Sequence, residues 1–331
     1  MLPDTLTAQQ YFEGIRKGDT VLLSRAITLL ESTLPAHRIL ANELLQLCLP
    51  YSGGSLRIGI TGVPGVGKST FIEKLGQLMV AEGKRLAVLA IDPSSRKTRG
   101  SILGDKTRME ALSQDKSVFI RPSPAGTALG GVGSATRETI LVLEAAGYDY
   151  LFVETVGVGQ SEVAVYGMTD IFLLLLIAGA GDELQGIKRG IMEMADIIAV
   201  NKADGDNVQR AHATRMDFKR ALHLFRPSES GWTPAVTACS ALTGDGLSEI
   251  SNMLAAYEAT TRSNGYFEAK RQQQLVEWFD AGLQEQIITR FRANPEHAAV
   301  IERLREQVVS GHQLPTPALT ELWSILAETA L

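Results

Sequence analysis

The stretch Gly62-Val-Pro-Gly-Val-Gly-Lys-Ser69 matches the phosphate-loop spacing G-x-x-x-x-G-K-[ST] and decides the fold. Glycines in this spacing let successive backbone N–H groups point at phosphate oxygens, with a helix N-terminus behind them. The flanks agree, because residues 56–60 are typical of a strand and residues 70–80 of an amphipathic helix. This strand–loop–helix order predicts a nucleotide-binding α/β domain.

The loop and the start of its helix supply the predicted phosphate contacts. Lys68 provides a mobile positive charge for the β- and γ-phosphates, and the Ser69 hydroxyl is a predicted Mg²⁺ ligand. The full set is Gly62, Val63, Pro64, Gly65, Val66, Gly67, Lys68, Ser69 and Thr70. A Gly-rich turn that arose by chance would not be expected to have both a strand and a helix beside it.

A second short motif, Asn201-Lys-Ala-Asp204, predicts which base is bound. It follows the residues 196–200, which indicate a buried strand. We expect Asp204 to accept hydrogen bonds from the ring N–H and the exocyclic amine of guanine, while the Lys202 stem lies along the base. Adenine presents the reverse pattern, and a buried hydrogen-bonding site rejects such a mismatch by roughly 10⁴-fold or more, so GTP is expected over ATP.

The segment Cys239-Ser-Ala-Leu242 follows the last predicted core strand, at residues 235–237. We expect the backbone N–H groups of Ser240 and Ala241 to donate to guanine O6, with Leu242 in the same nucleotide-binding turn. Cys239 itself is expected to be a small core residue and not a reactive thiol.

Two acidic residues end predicted strands beside the phosphate loop. Asp92 follows the strand 85–91, where an Asp-Pro pair often only begins a turn, but an acid here also suits a Mg²⁺-bound water or the attacking water. Glu154 begins Glu154-Thr-Val-Gly157, at a position where many GTPases have an Asp, two variable residues and a Gly. Its carboxylate is predicted beside Mg²⁺, and a solvated loop acid is the alternative.

The remaining predicted active-site residues lie in loops. The Gly157 N–H is expected to meet the γ-phosphate, and Gln160 is a candidate for orienting the attacking water. Asp105 lies in a candidate switch segment at 93–108, a loop of the kind that γ-phosphate and Mg²⁺ order. The predicted metal ligands are Ser69, Asp92, Asp105 and Glu154, and the predicted catalytic residues are Lys68, Glu154, Asp92 and Gln160.

No clear arginine finger is present in the sequence. Arg96, Lys97 and Arg99 are more typical of a solvated charged loop. Because such a finger contributes roughly 10³ to 10⁵ in rate, a chain without one is expected to hydrolyse GTP slowly until a partner acts. The Gly-rich loop 179–188 is a predicted contact for nucleotide or partner, with a plain strand–helix turn as the alternative.

Composition limits the classes of protein. The 331 residues are 45% hydrophobic and 21% charged, as in a globular chain, and the net charge of −5 gives no support for nucleic-acid binding. Cys48 and Cys239 form no metal or disulfide spacing. The sequence shows no apparent signal peptide. Its longest apolar stretch, 171–178, is far shorter than the about 20 residues needed to span a bilayer. We therefore expect a cytoplasmic protein that does not enter the membrane.

Three regions are predicted along the chain. Residues 1–50 repeat apolar positions at helical spacing and form a helical extension. Residues 51–262 alternate short apolar strands with helices, which indicates an α/β P-loop NTPase with a mostly parallel central sheet flanked by helices. Residues 263–331 indicate helices with too few apolar residues for a core of their own. We expect them to pack on the nucleotide domain or on a second copy.

Taken together, the motifs resemble the MeaB/ArgK family of GTPases, which is related to the signal-recognition-particle and nickel-metallochaperone GTPases. The resemblance covers nearly the whole chain and is carried by residues 62–69, 91–95, 154–160 and 201–204. It implies slow GTP hydrolysis that a partner accelerates, and a homodimer held largely by the C-terminal helices. It also implies the partner, adenosylcobalamin-dependent methylmalonyl-CoA mutase, whose cofactor loading and protection this family gates.

Other classes of function stay open from the sequence. Older family labels describe an arginine/ornithine transport ATPase or kinase, which Asp204 argues against. A metal-insertion GTPase should carry a His-rich tract or paired Cys and His ligands, and a protein-targeting GTPase a basic or Met-rich module; the sequence shows neither. A scaffold that binds GTP without hydrolysing it is compatible with the same motifs.

Overall fold

The computed structural model of the chain describes residues 6–92, 109–124, 131–155, 161–178, 189–222 and 229–329. Packing divides the chain into two units, Met1–Gln274 and Leu275–Leu331. The three-region division at residues 50 and 262 stays a prediction.

Helices and strands alternate through the first unit, and the second is helical. The strands are β1 (Leu56–Gly62), β2 (Leu86–Asp92), β3 (Val118–Pro124), β4 (Tyr150–Thr155), β5 (Ile171–Ile177), β6 (Ile197–Asn201) and β7 (Ala235–Ala238). The helices are α1 (Ala8–Arg16), α2 (Thr20–Leu30), α3 (Pro35–Cys48), α4 (Lys68–Ala81), α5 (Glu110–Ser113), α6 (Gly131–Ala145), α7 (Ser161–Tyr166), α8 (Arg189–Met194), α9 (Val208–Leu222), α10 (Leu247–Ser263), α11 (Tyr266–Ala293), α12 (Pro295–Val309) and α13 (Pro315–Thr329). Among these described helices, none has the length and hydrophobicity needed to cross a bilayer.

A seven-stranded sheet organises the first unit, in the order β3-β2-β4-β1-β5-β6-β7. All neighbouring strands run parallel. The predicted α/β class with a parallel sheet is therefore confirmed. Because β1 lies at the centre of the order, the loop that follows it emerges at the middle of the carboxyl edge, where ligands of open α/β sheets bind.

Helices cover both faces of the sheet. On one face, Ile58 of β1 is buried with Phe71 of α4 and Leu254 of α10. On the other face, Val153 of β4 is buried with Leu143 of α6. A strand covered on both sides needs apolar side chains in both directions, which is why these strands appear in the sequence as continuous apolar runs.

The N-terminal extension forms three helices that belong to the same core. Thr7 begins α1 with a capping box, and the Asp19 carboxylate accepts hydrogen bonds from the first turn of α2. Ile27 of α2 is buried with residues of α6. Arg38 of α3 pairs with Glu138 of α6 at 2.9 Å. The extension thus completes one layer of the first unit.

Buried charges hold the amino-terminal ends of β1 and β5. Arg271 of α11 donates from Nη2 to Asp170 Oδ2 at 2.7 Å and to the Ser55 carbonyl at 2.6 Å. Arg57 of β1 pairs with Glu144 of α6 through hydrogen bonds of 2.9 and 2.8 Å. Each of these charges has an opposite partner, which offsets the cost of taking it out of water.

The second unit contains the later part of α11 together with α12 and α13. Leu304, Ala318 and Leu322 form its small buried cluster, and Phe291 packs against them. The rings of Phe291 and Trp323 lie 5.5 Å apart. Large apolar side chains of this unit are exposed in the single chain: Leu275, Val276, Phe279, Leu283, Ile287, Ile288, Val309, Leu314, Leu319 and Trp323.

Removing the Arg271 side chain should destabilise the first unit strongly. The substitution Arg271→Ala leaves the buried Asp170 carboxylate without its guanidinium partner, a change that costs about 3–5 kcal/mol. Urea unfolding followed by circular dichroism measures the difference in the free energy of unfolding.

The matched control is Arg220→Ala, because the single ion pair that Arg220 makes with the described residues is an exposed one, with Asp217 at 3.8 Å. We expect this control to change the free energy of unfolding by less than about 0.5 kcal/mol. Equal effects of the two substitutions would contradict a special role for the buried cluster.

Candidate nucleotide-binding site

The loop between β1 and α4 has the backbone conformation of a phosphate cradle. Gly62, Gly65 and Gly67 all have positive φ angles, of 152°, 80° and 96°. A Cβ at Gly62 would lie 2.6 Å from the Leu175 carbonyl oxygen, and one at Gly67 would lie 2.9 Å from Asn201 Nδ2. Only glycine satisfies both the φ angles and the space at these positions.

Lys68, the first residue of α4, is held inside this loop. Its Nζ donates to the Gly62 carbonyl at 2.7 Å and to the Val63 carbonyl at 3.3 Å. Burial lowers the pKa of Lys68, and the carboxylates of Glu154 and Glu162 oppose that shift. An amine with two acids nearby and hydrogen bonds to two backbone carbonyl groups of the loop is well placed to meet phosphate oxygens.

Asn201, the last residue of β6, connects the loop with the turn after β7. Its Nδ2 donates to the Val66 carbonyl at 2.9 Å, and its Oδ1 accepts the Ala241 N–H at 3.0 Å. The Cys239 thiol also donates to Oδ1, at 3.7 Å. The side chain is almost fully buried. One carboxamide therefore joins the predicted phosphate site to the predicted base site.

The residues after Asn201 form the other wall of the base site. Lys202 has a φ of 59°, the one non-glycine residue with positive φ in the described part of the chain. Such backbone strain is often found at functional sites. The Ser240 hydroxyl donates a short hydrogen bond to Asp204 Oδ2. This contact fixes one carboxylate oxygen of Asp204 and orients the group that is predicted to read guanine.

The backbone donors of the turn after β7 have partners within the protein. The Ser240 N–H donates to the Asp245 carbonyl at 2.9 Å, and the Ala241 N–H donates to Asn201 Oδ1 at 3.0 Å. The assignment of both N–H groups to guanine O6 stays a prediction. Leu242 follows them in the turn, with an exposed side chain.

The two acids predicted at strand ends belong to neighbouring strands of the sheet. Glu154 of β4 lies in register with Ile60 of β1 and Ala90 of β2, and it is buried. Asp92 is the last residue of the neighbouring strand β2, and its side chain lies outside the described part of the structure. Asp105, Gly157, Gln160 and the loops 93–108, 156–160 and 179–188 also lie outside the described residues.

Three residues at the site were missed by sequence reasoning. Glu162, in the first turn of α7, is buried and acts electrostatically on Lys68. The Thr155 hydroxyl donates to Thr61 Oγ1 at 2.9 Å, which joins the end of β4 to the start of the phosphate loop. An acid in a first helical turn usually indicates a surface residue, and a Thr in a strand indicates only strand propensity. Their burial depends on the tertiary fold.

Cys239 behaves as a core residue. It is buried, and burial raises the pKa of its thiol to about 12. The thiol therefore stays protonated near neutral pH, and a nucleophilic role has no support here.

A central parallel sheet, a phosphate cradle after β1 and an Asn-Lys-x-Asp corner after β6, anchored by the buried Asn201, define a P-loop GTPase. Within this class the chain belongs to the family described as methylmalonyl Co-A mutase-associated GTPase MeaB, whose model matches residues 23–296. The family named from the sequence motifs is confirmed.

Curated relatives support the same placement. A probable GTPase of Mycobacterium tuberculosis is 48% identical over 312 residues, which is 94% of this chain and 93% of the relative. The GTPase ArgK of Escherichia coli is 46% identical over 290 residues, 88% of each chain. The mouse mitochondrial methylmalonic aciduria type A homolog is 43% identical over 314 residues, 92% of this chain and 76% of the relative.

A solved structure shares the fold over the full length. The crystal structure of a protein described as LAO/AO transport system kinase superposes with a TM-score of 0.79 at 37% identity. It covers 99% of this chain and 100% of its own. The matched length therefore includes the helices that precede and follow the strands along the chain.

Replacing the base-reading carboxylate should change which nucleotide is bound. In Asp204→Asn, the acceptor for the guanine N–H groups becomes partly a donor, so we expect GDP affinity to fall by about 100-fold or more. Xanthosine diphosphate, which has a carbonyl where guanine has its amine, should bind this variant better than GDP does. Isothermal titration calorimetry measures both affinities.

The control is Asp206→Asn, which removes the same charge from an exposed position in the adjacent turn. Its GDP affinity should stay within about twofold of the original. If Asp204→Asn retains full GDP affinity, Asp204 does not read the base.

Proposed function

We propose that the chain is a GTP-hydrolysing chaperone that binds adenosylcobalamin-dependent methylmalonyl-CoA mutase and gates the loading and protection of its cofactor. The observation that carries the nucleotide part is the hydrogen-bonded corner formed by Asn201, Asp204 and Ser240 beside the phosphate loop. The family description, a mutase-associated GTPase, supports the partner.

Mg²⁺ fits the proposed site by the chemistry of its donors. Ser69 supplies a hydroxyl at the start of α4, and the buried Glu154 supplies a carboxylate close enough to Lys68 to influence its charge. Such hard oxygen ligands are the ones Mg²⁺ prefers. When bound with nucleotide, the ion neutralises charge on the β- and γ-phosphates. Asp92 and Asp105 remain further proposed ligands from the sequence.

The proposed mechanism assigns separate tasks to the described residues. Lys68 holds the transferred phosphate group by charge, and Asp204 selects guanine. Asn201 keeps these two sites at a fixed separation, because its amide binds both walls. Without an evident arginine finger in the sequence, the chain alone should hydrolyse GTP slowly. The mutase would then accelerate turnover, which makes the GTP-bound state a timer for the complex.

Steady-state hydrolysis with and without the mutase tests this proposal. We expect a slow GTP-specific rate that rises at least about tenfold on addition of methylmalonyl-CoA mutase, because the partner supplies stabilisation that the chain lacks. ATP is the control nucleotide, and Lys68→Ala is the control variant that should abolish hydrolysis with or without the mutase.

Each outcome of this experiment has a distinct meaning. A GTP-specific rate that the mutase does not change would support GTP hydrolysis and contradict methylmalonyl-CoA mutase as the partner. Robust ATP hydrolysis would favour the alternative, a nucleotide-dependent kinase or ATPase linked to arginine/ornithine transport, in keeping with the name of the similar protein of known structure, LAO/AO transport system kinase.

The exposed apolar face of α11 supports a proposed homodimer. Leu275, Phe279, Leu283 and Ile287 follow each other at four-residue intervals and lie on one side of the helix. All four are exposed in the single chain, Phe279 by 69%. A cavity of about 500 Å³ beside them is lined by Ile288 and other apolar residues of the second unit. Apolar surface of this extent is expected to be covered by a second copy.

A charge in the apolar face should break the proposed dimer. For Phe279→Glu we expect the mass in multi-angle light scattering to fall from twice the chain mass to the single-chain value of 35.8 kDa. A buried carboxylate without a partner opposes association. The matched control Ala281→Glu adds the same charge at an exposed position on the opposite side of the helix. A dimer that survives Phe279→Glu, or is lost equally in the control, contradicts this face as the interface.

A further inference from the structure

The short segment between α7 and β5 is held by hydrogen bonds from three helices. The Gly167 carbonyl accepts from Arg137 Nη2 of α6 at 2.9 Å, and the Thr169 carbonyl accepts from Gln274 Nε2 of α11 at 2.9 Å. The next carbonyl, that of Asp170, accepts from Lys270 Nζ at 2.7 Å and from the Tyr257 hydroxyl of α10 at 2.9 Å. These donors fix the chain where α7 ends.

Arg137 and Gln274 act on this segment as one unit. Arg137 Nη1 also donates to the Gln274 carbonyl at 3.1 Å, so the two donors are joined to each other. Gln274 Nε2 makes a second, longer contact of 3.4 Å with the Tyr166 carbonyl. The Gln274 side chain is buried, and its Oε1 has no hydrogen-bond partner among the described residues. We call the Arg137–Gln274 pair the α7 brace.

The other side of α7 rests closely on the sheet. A Cβ at Gly59 of β1 would lie 3.0 Å from Val165 Cγ1 and 2.9 Å from Thr169 Oγ1. The absence of a side chain at Gly59 is therefore what allows the end of α7 to approach β1. Packing against β1 and the hydrogen bonds of the α7 brace together fix the position of α7.

The position of α7 matters to the phosphate site because α7 carries Glu162. This carboxylate is buried in the first helical turn, whereas the brace acts at the other end of the same short helix. The helix follows β4, which pairs with β1, the strand that leads into the phosphate loop, and Glu162 is near enough to Lys68 to act on it electrostatically. A displaced α7 would move this charge relative to the ammonium group that is expected to hold the γ-phosphate.

We propose that Arg137 and Gln274 are positioning residues for GTP hydrolysis, which hold α7 so that Glu162 keeps its place beside Lys68. The inference rests on GTP hydrolysis by this chain and on no particular partner.

The test compares Gln274→Met with the original chain in GTP hydrolysis. Methionine has similar length and helix propensity but cannot donate to the two carbonyl groups. We expect kcat to fall by about fivefold or more, because small misplacements of active-site groups have large effects on rate. The KM for GTP and the GDP affinity should stay within about twofold, since the loop and the base site are untouched. Rates are normalised to the GDP-binding fraction of each preparation.

The matched control is Gln272→Met, the same substitution at an exposed position on the same helix. It should leave kcat unchanged. Arg137→Met should lower kcat as Gln274→Met does, and the double variant should resemble the more impaired single variant, because both residues hold one element.

Two results would overturn the proposal once the original chain has been shown to hydrolyse GTP. One is an unchanged or higher kcat in Gln274→Met. The other is a loss of GDP binding and of thermal stability in proportion to activity, which would show that the contacts serve folding alone. If the original chain does not hydrolyse GTP at all, the proposed function itself is contradicted. Failure of the positioning role and failure of the proposed function are therefore distinguishable.

Discussion

The carboxamide of Asn201 is the contact on which the nucleotide site depends. A nucleotide is recognised at two ends, and here the two recognising segments follow different strands, β1 and β6. Asn201 connects the two segments because a carboxamide carries both a donor and an acceptor. Its Nδ2 donates to the Val66 carbonyl, and its Oδ1 accepts the Ala241 N–H. Burial strengthens both hydrogen bonds, since water cannot compete for them. Asn201 Nδ2 also occupies the space where a side chain at Gly67 would lie, at 2.9 Å. The glycine at position 67 is thus required by Asn201 of β6 as well as by its positive φ angle.

Sequence reasoning succeeded where the signal is local. The phosphate loop has a fixed spacing, and each strand that is buried on both faces appears as a short apolar run, such as Ile171–Ile177. The parallel arrangement follows from strands separated by helices. The helices of the extension were also visible as apolar residues at helical intervals. All of these features depend on neighbours within about 20 residues, which a sequence displays directly.

The features that escaped prediction depend on residues far apart in the chain. Nothing near Arg271 indicates that it will meet Asp170, and nothing near Gln274 indicates that its side chain will bind a carbonyl group beside α7. Glu162 would be taken for a surface acid on any local criterion, yet the fold buries it.

The two ends of the sheet differ in what surrounds them: paired charges lie at the amino ends of the strands, and the nucleotide is expected at the carboxyl ends. At the amino ends of β1 and β5, Asp170 is held by Arg271, Lys270 and the Arg57 N–H, and paired charges of this kind resist displacement. The residues between α7 and β5 connect this fixed end with the carboxyl edge, where the nucleotide is expected. The contacts that hold the end of α7 therefore link the paired charges at the amino ends of the strands to the helix that carries Glu162.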